Sequence, residues 1–245
     1  MFNGKMKAIT FSYDDGATQD ARLIYLMNKY GLKGTFNLNS GRLGLVEKLE
    51  LGPAKRSVSH IKFRADEIKS IYEGHEVAAH TLRHPPLINK PEEYIIEQVE
   101  QDRLALSEIV GYEVVGFAYP CAKTDYDTRV ANIIKEHTGI KYARTTIENG
   151  SFDLQDNLYE FCPSISQPTI LGSKNFEVVQ SFLDMKTEKP QILYIWGHAH
   201  SLDINPEGWD AIEKLFKMVS GKSDIFYGTN SEVRSEEHTS ELQSL

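Results

Sequence analysis

The chain has 245 residues, of which 40% are hydrophobic, 25% charged and 10% aromatic, and its formal net charge is −8. That composition excludes a disordered chain, and the acidic balance argues against a general nucleic-acid binder, which needs a basic face to neutralise phosphates. The two cysteines, Cys121 and Cys162, argue against a thiolate zinc site or a disulfide framework, and no apolar run approaches the roughly 20 residues of a membrane span.

From the N-terminus, no signal-peptide core precedes the first strand, so the chain as it stands reads as cytosolic. Lys7–Tyr13 has the apolar character of a strand. Thr18–Tyr30 follows as a helix with Leu23, Leu26, Met27 and Tyr30 on one side, Thr18 as its N-cap and Gly31 as its stop. Gly34–Asn39 is the next strand. Residues 41–62 show no clear period and read as a long loop or insertion. Ala65–Tyr72 is a short helix and His75–Ala79 a strand. Pro91–Val110 is the clearest helix, with Pro91 suited to its first turn and Gly111 to its end. Val114–Tyr119 is a strand, Thr128–His137 a helix and Lys141–Arg144 a strand. Phe176–Asp184 is a helix, Gln191–Trp196 a strong buried strand, Trp209–Val219 a helix and Ile225–Tyr227 a last short strand. Such alternation predicts an α/β fold with parallel strands and outer helices. An open doubly wound sheet and a closed barrel fit it equally.

Three constellations stand at the ends of predicted strands, where α/β folds build their sites. The first is Phe11-Ser12-Tyr13-Asp14-Asp15-Gly16. Consecutive strand residues face opposite ways, so the two carboxylates need not share a task. One can hold a metal while the other acts as a base; the plainer reading is a polar turn. The second is His80-Thr81-Leu82-Arg83-His84-Pro85-Pro86. Pro85 and Pro86 limit any helix, so a tight loop brings the two imidazoles together. Paired histidines with one carboxylate and an open position form a usual catalytic-metal arrangement. The third is Tyr194-Ile195-Trp196-Gly197-His198-Ala199-His200. One of its histidines suits a general acid, and only one of the two is expected to face the site. Each constellation alone is also compatible with ordinary loop residues; their joint occurrence points to a site.

These motifs resemble those of the polysaccharide deacetylase superfamily, the chitooligosaccharide-deacetylase-like carbohydrate esterases. The family's Thr-Phe-Asp-Asp-Gly is similar to Ser12 through Gly16, and its His-Ser/Thr-x-x-His-Pro is matched intact by His80 through Pro85. Its Arg-x-Pro-Tyr/Phe-Gly has a degraded counterpart in Ala118-Tyr119-Pro120-Cys121-Ala122, and its final histidine is matched by His198. The likeness spans about residues 8 to 203. It implies a deformed (β/α) barrel and a metal-dependent hydrolase acting on an acetylated carbohydrate. Carried over, Asp15, His80 and His84 hold a divalent metal, typically zinc. Asp14 is the general base, His198 the general acid, and the backbone N–H of Cys121 an oxyanion donor.

The third motif departs from the family: its arginine, which orients the base, is Ala118 here. Arg144 is the expected substitute, with Arg83 second. Tyr13, Trp196 and Tyr119 are core residues or sugar platforms. A small non-sugar amide as substrate, or a catalytically dead carbohydrate-binding relative, are the alternatives. Neither the metal's identity nor the oligomeric state is legible.

The last twelve residues, 234–245, break the pattern and resemble one reading frame of a widely used sequencing-library adapter. The expected catalytic domain is therefore 1–233, truncated at its C-terminus, with Gly228–Val233 the start of a capped helix and His238 no part of any metal site.

Overall fold

The first half of the chain runs β1 (Lys7–Asp14), α1 (Asp20–Lys29), β2 (Thr35–Leu38), β3 (Val46–Leu51), β4 (Arg56–Ile61), α2 (Ala65–Ile71), β5 (Glu76–Ala79) and α3 (Glu92–Val110). It continues through β6 (Gly116–Ala118), α4 (Thr128–His137), β7 (Tyr142–Arg144), β8 (Ile165–Ser166) and α5 (Gln167–Gly172). It ends with α6 (Glu177–Asp184), β9 (Gln191–Gly197), α7 (Gly208–Val219) and β10 (Ile225–Tyr227). This computed structural model describes residues 1–121, 126–172 and 176–234. Among them, no helix is long and apolar enough to cross a membrane.

Eight strands form one parallel sheet in the order β7-β6-β5-β2-β1-β9-β8, with β10 also beside β1. The segment entering β8 joins the two edges. Phe161 N donates to Ala143 O and Thr145 N to Phe161 O, both at 2.9 Å, which ties the segment to β7. Four residues on, Ile165 and Ser166 register with Ile195 and Trp196 of β9. The sheet therefore curls into a deformed barrel rather than an open doubly wound sheet. All eight residues of β1 are buried, as expected for a central parallel strand covered on both faces. Phe11, Phe36, Leu193 and Phe216 belong to the main core packed between barrel and helices.

Two expectations need correction. Residues 41–62 are not a long loop: β3 and β4 form an antiparallel hairpin from Val46↔Ile61 to Leu51↔Arg56. Its strands carry Glu47, Lys48, Glu50 and Arg56, and most positions are at least partly exposed, so the apolar contrast that marks a strand is faint. Thr18 is not a helix cap. Its N–H donates to Ile61 O at the hairpin's foot, and α1 starts at Asp20.

The chain's last described turn behaves as its sequence predicts. Residues 230–234 are helical. Thr229 N donates to Glu232 Oε2 at 2.9 Å and Glu232 N to Thr229 Oγ1 at 3.3 Å, a reciprocal capping box. Of the adapter-like tail expected over 234–245, Arg234 closes this helical turn, and residues 235–245, His238 among them, lie outside the described residues.

Candidate metal centre and active site

The site begins where β1 stops. Asp15 has φ +86° and Gly16 φ +62°, a left-handed pair that ends the strand. A Cβ on Gly16 would stand 2.7 Å from Leu38 Cδ2, and the positive φ would strain any side chain there. Asp15 N donates to Asn37 O at 3.0 Å, fixing the turn against β2.

Asp14 is only 2% exposed, inside the barrel mouth. Arg144, fully buried at the end of β7, donates from one Nη to both of its oxygens, at 2.6 and 2.5 Å. Asn37 Nδ2 adds a third bond at 2.7 Å. The Arg144 guanidinium also lies 4.7 Å over the Trp196 ring. Ala118, where the family's motif has its arginine, is the register partner of Arg144 on the adjoining strand. Arg83, the second candidate, is exposed. Burial pushes the Asp14 carboxyl up, but Arg144, His80 and His198 outweigh it and hold the group below its ordinary value.

Asp15, His80 and His84 bring one donor atom each within 4.8 Å of one another. His84 Nε2 is 3.7 Å from Asp15 Oδ1. Thr81 and His84 both have positive φ, which turns the chain tightly enough to converge the imidazoles without a helix. His80 Nδ1 donates to Ala118 O at 2.8 Å, which fixes the tautomer and leaves Nε2 with its lone pair. Asp102 of α3 accepts from His80 N at 2.8 Å and from Ser40 N and Oγ at 2.6 Å. Burial lowers His80 to about 4 and also lowers His84. For Asp15 burial raises the carboxyl, but His60, Lys62, His198 and His80 hold it well below the ordinary carboxylate range. Neutral imidazoles and an ionised carboxylate are the states a divalent metal requires. The donor set thus fits a divalent metal ion.

Sequence reasoning expected one histidine of the third motif to face the site. Both approach it. His198 Nε2 is 3.9 Å from Asp14 Oδ2 and from Asp15 Oδ2, and His200 Nδ1 is 3.9 Å from Asp15 Oδ2. Residues two apart share one face of an extended chain, so their spacing gave no ground to separate them; the strand ends at Gly197 and a 3-10 turn over Ala199–Ile204 follows. The hairpin supplies two residues that were not anticipated. His60 Nε2 is 3.4 Å from Asp15 Oδ2, and buried Lys62 donates to Asp15 O. The alternation Val58, His60, Lys62 was the available signal, since these three are buried and their neighbours exposed, apart from Phe63.

Cys121, with φ +64°, follows β6 and places Sγ 3.7 Å from His84 Nδ1, so its backbone stands at the metal site's edge. Tyr13 and Tyr119 are core residues, 0% and 1% exposed, and cannot stack on a sugar. Trp196 is half-buried beside His198, with ring centroids 5.6 Å apart.

Residues 3–143, over half of the chain, match the family model described as polysaccharide deacetylase. No curated protein matches the sequence. Among solved structures, the peptidoglycan deacetylase PdaC from Bacillus subtilis is similar over 100% of this chain and 98% of its own, with TM-score 0.57 and 17% identity. A family 4 acetyl xylan esterase from Clostridium thermocellum, in complex with a cobalt ion, is similar over 94% of this chain and 92% of its own, with TM-score 0.55 and 15% identity. The Streptococcus pyogenes deacetylase PplD shares 20% identity over 62% of this chain, with TM-score 0.49, and the chain spans 61% of that protein's length. The two full-length likenesses agree with the barrel described above.

Proposed function

The chain belongs to the polysaccharide deacetylase family, and from that premise we propose that it is a metal-dependent hydrolase removing acetyl groups from an N-acetylated sugar or an acetylated polysaccharide. One observation carries this reading. His198 Nε2 stands 3.9 Å from both Asp14 Oδ2 and Asp15 Oδ2, so an acid, a base and a metal-ligand set meet at one point. A structural polar turn has no need of that convergence.

Asp15, His80 and His84 would hold the ion. A divalent ion held there, zinc by its donor set, would supply Lewis-acid polarisation of an acyl carbonyl and a more acidic water. Asp14, kept ionised by Arg144, accepts the proton of the attacking water. His198 gives a proton to the departing nitrogen or oxygen, so the products are acetate and a free amine or hydroxyl. The Cys121 N–H donates to the oxygen that gains charge, and Trp196 offers a partly open ring for the sugar. Arg144 beside Asp14 supports the enzyme reading over a binding-only one, which rested on Ala118.

The test is acetate release by the zinc-loaded full chain from N-acetylglucosamine oligomers and from acetylated xylan. Release that disappears in Asp15→Ala supports the reading. A chain that binds zinc yet releases acetate from neither substrate overturns it.

A further inference from the structure

The Asp15 carboxylate looks both ways. Its Oδ1 faces His84, and its Oδ2 faces His60 and His200. Asp15, His60 and His200 bring a second set of donor atoms within 4.8 Å of one another, separate from the set with His80 and His84. His60 and His200 are buried, 3% and 4% exposed, and Asp15 is half-buried.

Two independent details point to a cation there. His200 Nδ1 is buried without a hydrogen-bond partner among the described residues, and it lies on the side of the ring near Asp15. An orphaned imidazole nitrogen in so buried a place lacks the partner that buried polar atoms normally have. His60 is oriented in the manner of a ligand. Its Nδ1 lies 2.8 Å from Glu47 Oε1, and a carboxylate only accepts, so Nδ1 is the donor. In the neutral ring Nε2 then carries the lone pair. Lys62 Nζ lies 3.1 Å from that nitrogen and 3.5 Å from Asp15 Oδ1. An ammonium has only donors, so the lone pair is already used toward a positive charge. Lys62 marks a cation position and, on its flexible four-carbon stem, can yield it.

We propose that Asp15, His60 and His200 form a second divalent-cation subsite, joined through the Asp15 carboxylate to the subsite of His80 and His84. Its two imidazoles and one carboxylate suit zinc, cobalt, manganese or ferrous ions rather than calcium or magnesium. The inference rests on the reading of Asp15 as a metal ligand. Glu47 is the outer residue that orients His60, and Lys62 competes with the second ion. The hairpin of β3 and β4 then has a purpose: it carries Glu47, His60 and the approach to Lys62 over the barrel mouth.

The experiment is metal analysis of the full chain, stripped with chelator and dialysed against Zn2+. Wild type is expected to retain two ions, and His60→Ala and His200→Ala one each. In Mn2+, wild type is expected to give an exchange-coupled electron paramagnetic resonance signal that becomes uncoupled in His200→Ala. Lys62→Met is expected to bind the second ion at least about tenfold more tightly, since a neighbouring positive charge is gone; a folding defect would not produce that gain. No bound ion in wild type would sink the first reading itself. One ion in wild type, His200→Ala and Lys62→Met alike would leave the first reading standing and overturn the second subsite. Two ions in both wild type and His200→Ala would also overturn it.

Discussion

Arg144 and Asp14 lie 130 residues apart in the chain and share two hydrogen bonds of 2.6 and 2.5 Å at the barrel mouth. The partnership follows from register. Arg144 pairs with Ala118 across β6 and β7, so moving the cation one strand over keeps it at the same height in the barrel. Ala118 keeps a different duty, because its carbonyl holds His80 Nδ1. A backbone oxygen serves that purpose whatever the side chain, which leaves the side chain free to change.

Replacing Arg144 by Met is expected to act on Asp14 in two ways. Removing one partner of a buried ion pair costs about 3–5 kcal/mol of stability. Asp14 is held low in the folded chain, so it adds stability above its unfolded value of about 3.9 and loses it as pH falls through the folded value. Without the guanidinium the folded value rises and that contribution goes. With Asp14 as the proposed base, the acid limb of kcat/KM then moves to higher pH, because it would report protonation of that carboxylate. Loss of base function lowers turnover by about 10²–10⁴-fold near neutral pH. Arg144→Lys keeps the charge but not the paired geometry and should fall between. A pH–rate profile checks this, and an unmoved acid limb in Arg144→Met would refute the role.

Asp20 gives a stability prediction of opposite sign. It is fully buried, accepts from Tyr72 OH at 2.7 Å, and burial raises its carboxyl to about 8. The folded chain therefore holds a proton that the unfolded chain releases near pH 3.9, roughly. Stability is complete below that unfolded value and declines as pH rises through about 8. Asp20→Asn removes the charge to be buried and flattens that decline. Thermal melts of both proteins at about pH 5.5 and about pH 8.5 should show the variant gaining relative to wild type at the higher value. An equal difference at both would refute a protonated Asp20.

Much of this site was legible because its chemistry lies at strand ends that the apolar pattern marks well. Asp14 and Asp15 end the all-buried β1, and His198 follows β9. Arg144 could be nominated from the end of a strand once Ala118 was seen, yet only the curl of the sheet says that β7 faces β1 across the mouth. The residues missed share a physical cause. His60 and Lys62 lie on a hairpin with charged, mostly exposed strands, where alternation carries little hydrophobic contrast. Only one of His198 and His200 was expected at the site, yet residues two apart share one face of an extended chain, so their spacing gave no ground to separate them. Closure was hidden as well: it depends on two-residue β8 and a bridge at Phe161, too short to leave a period.

Asp102 tests whether the support of a ligand matters as much as the ligand. It accepts the backbone N–H of His80 and both donors of Ser40, and it touches no other residue of the candidate metal set. Asn offers one carbonyl oxygen where the carboxyl offers two, so Asp102→Asn loses the bonds to one side. Loss of such outer support typically lowers metal affinity about 10–100-fold. Zn2+ competition against a chromogenic chelator measures it directly. The expected result is weaker binding with a folded chain, and an affinity equal to wild type would separate Asp102 from the metal site.

His198 makes the sharpest chemical prediction, because an acid matters only in proportion to the leaving group's need for a proton. An amine departing from an N-acetyl sugar cannot leave as an anion and needs the proton in full. A nitrophenolate departing from an aryl acetate is a stable anion and needs almost none. His198→Ala should therefore lower amide turnover by about 10²–10⁴-fold while aryl-acetate turnover falls far less. The same change in Asp14 should depress both substrates alike, because both consume an activated water. His198 Nε2 stands 3.9 Å from Asp14 Oδ2, so the two variants perturb neighbouring atoms and differ in the step they remove. Steady-state rates on the two substrates, with zinc content matched between proteins, give the comparison. Equal losses on amide and aryl ester in His198→Ala would remove the acid role and leave His198 as a positioning group.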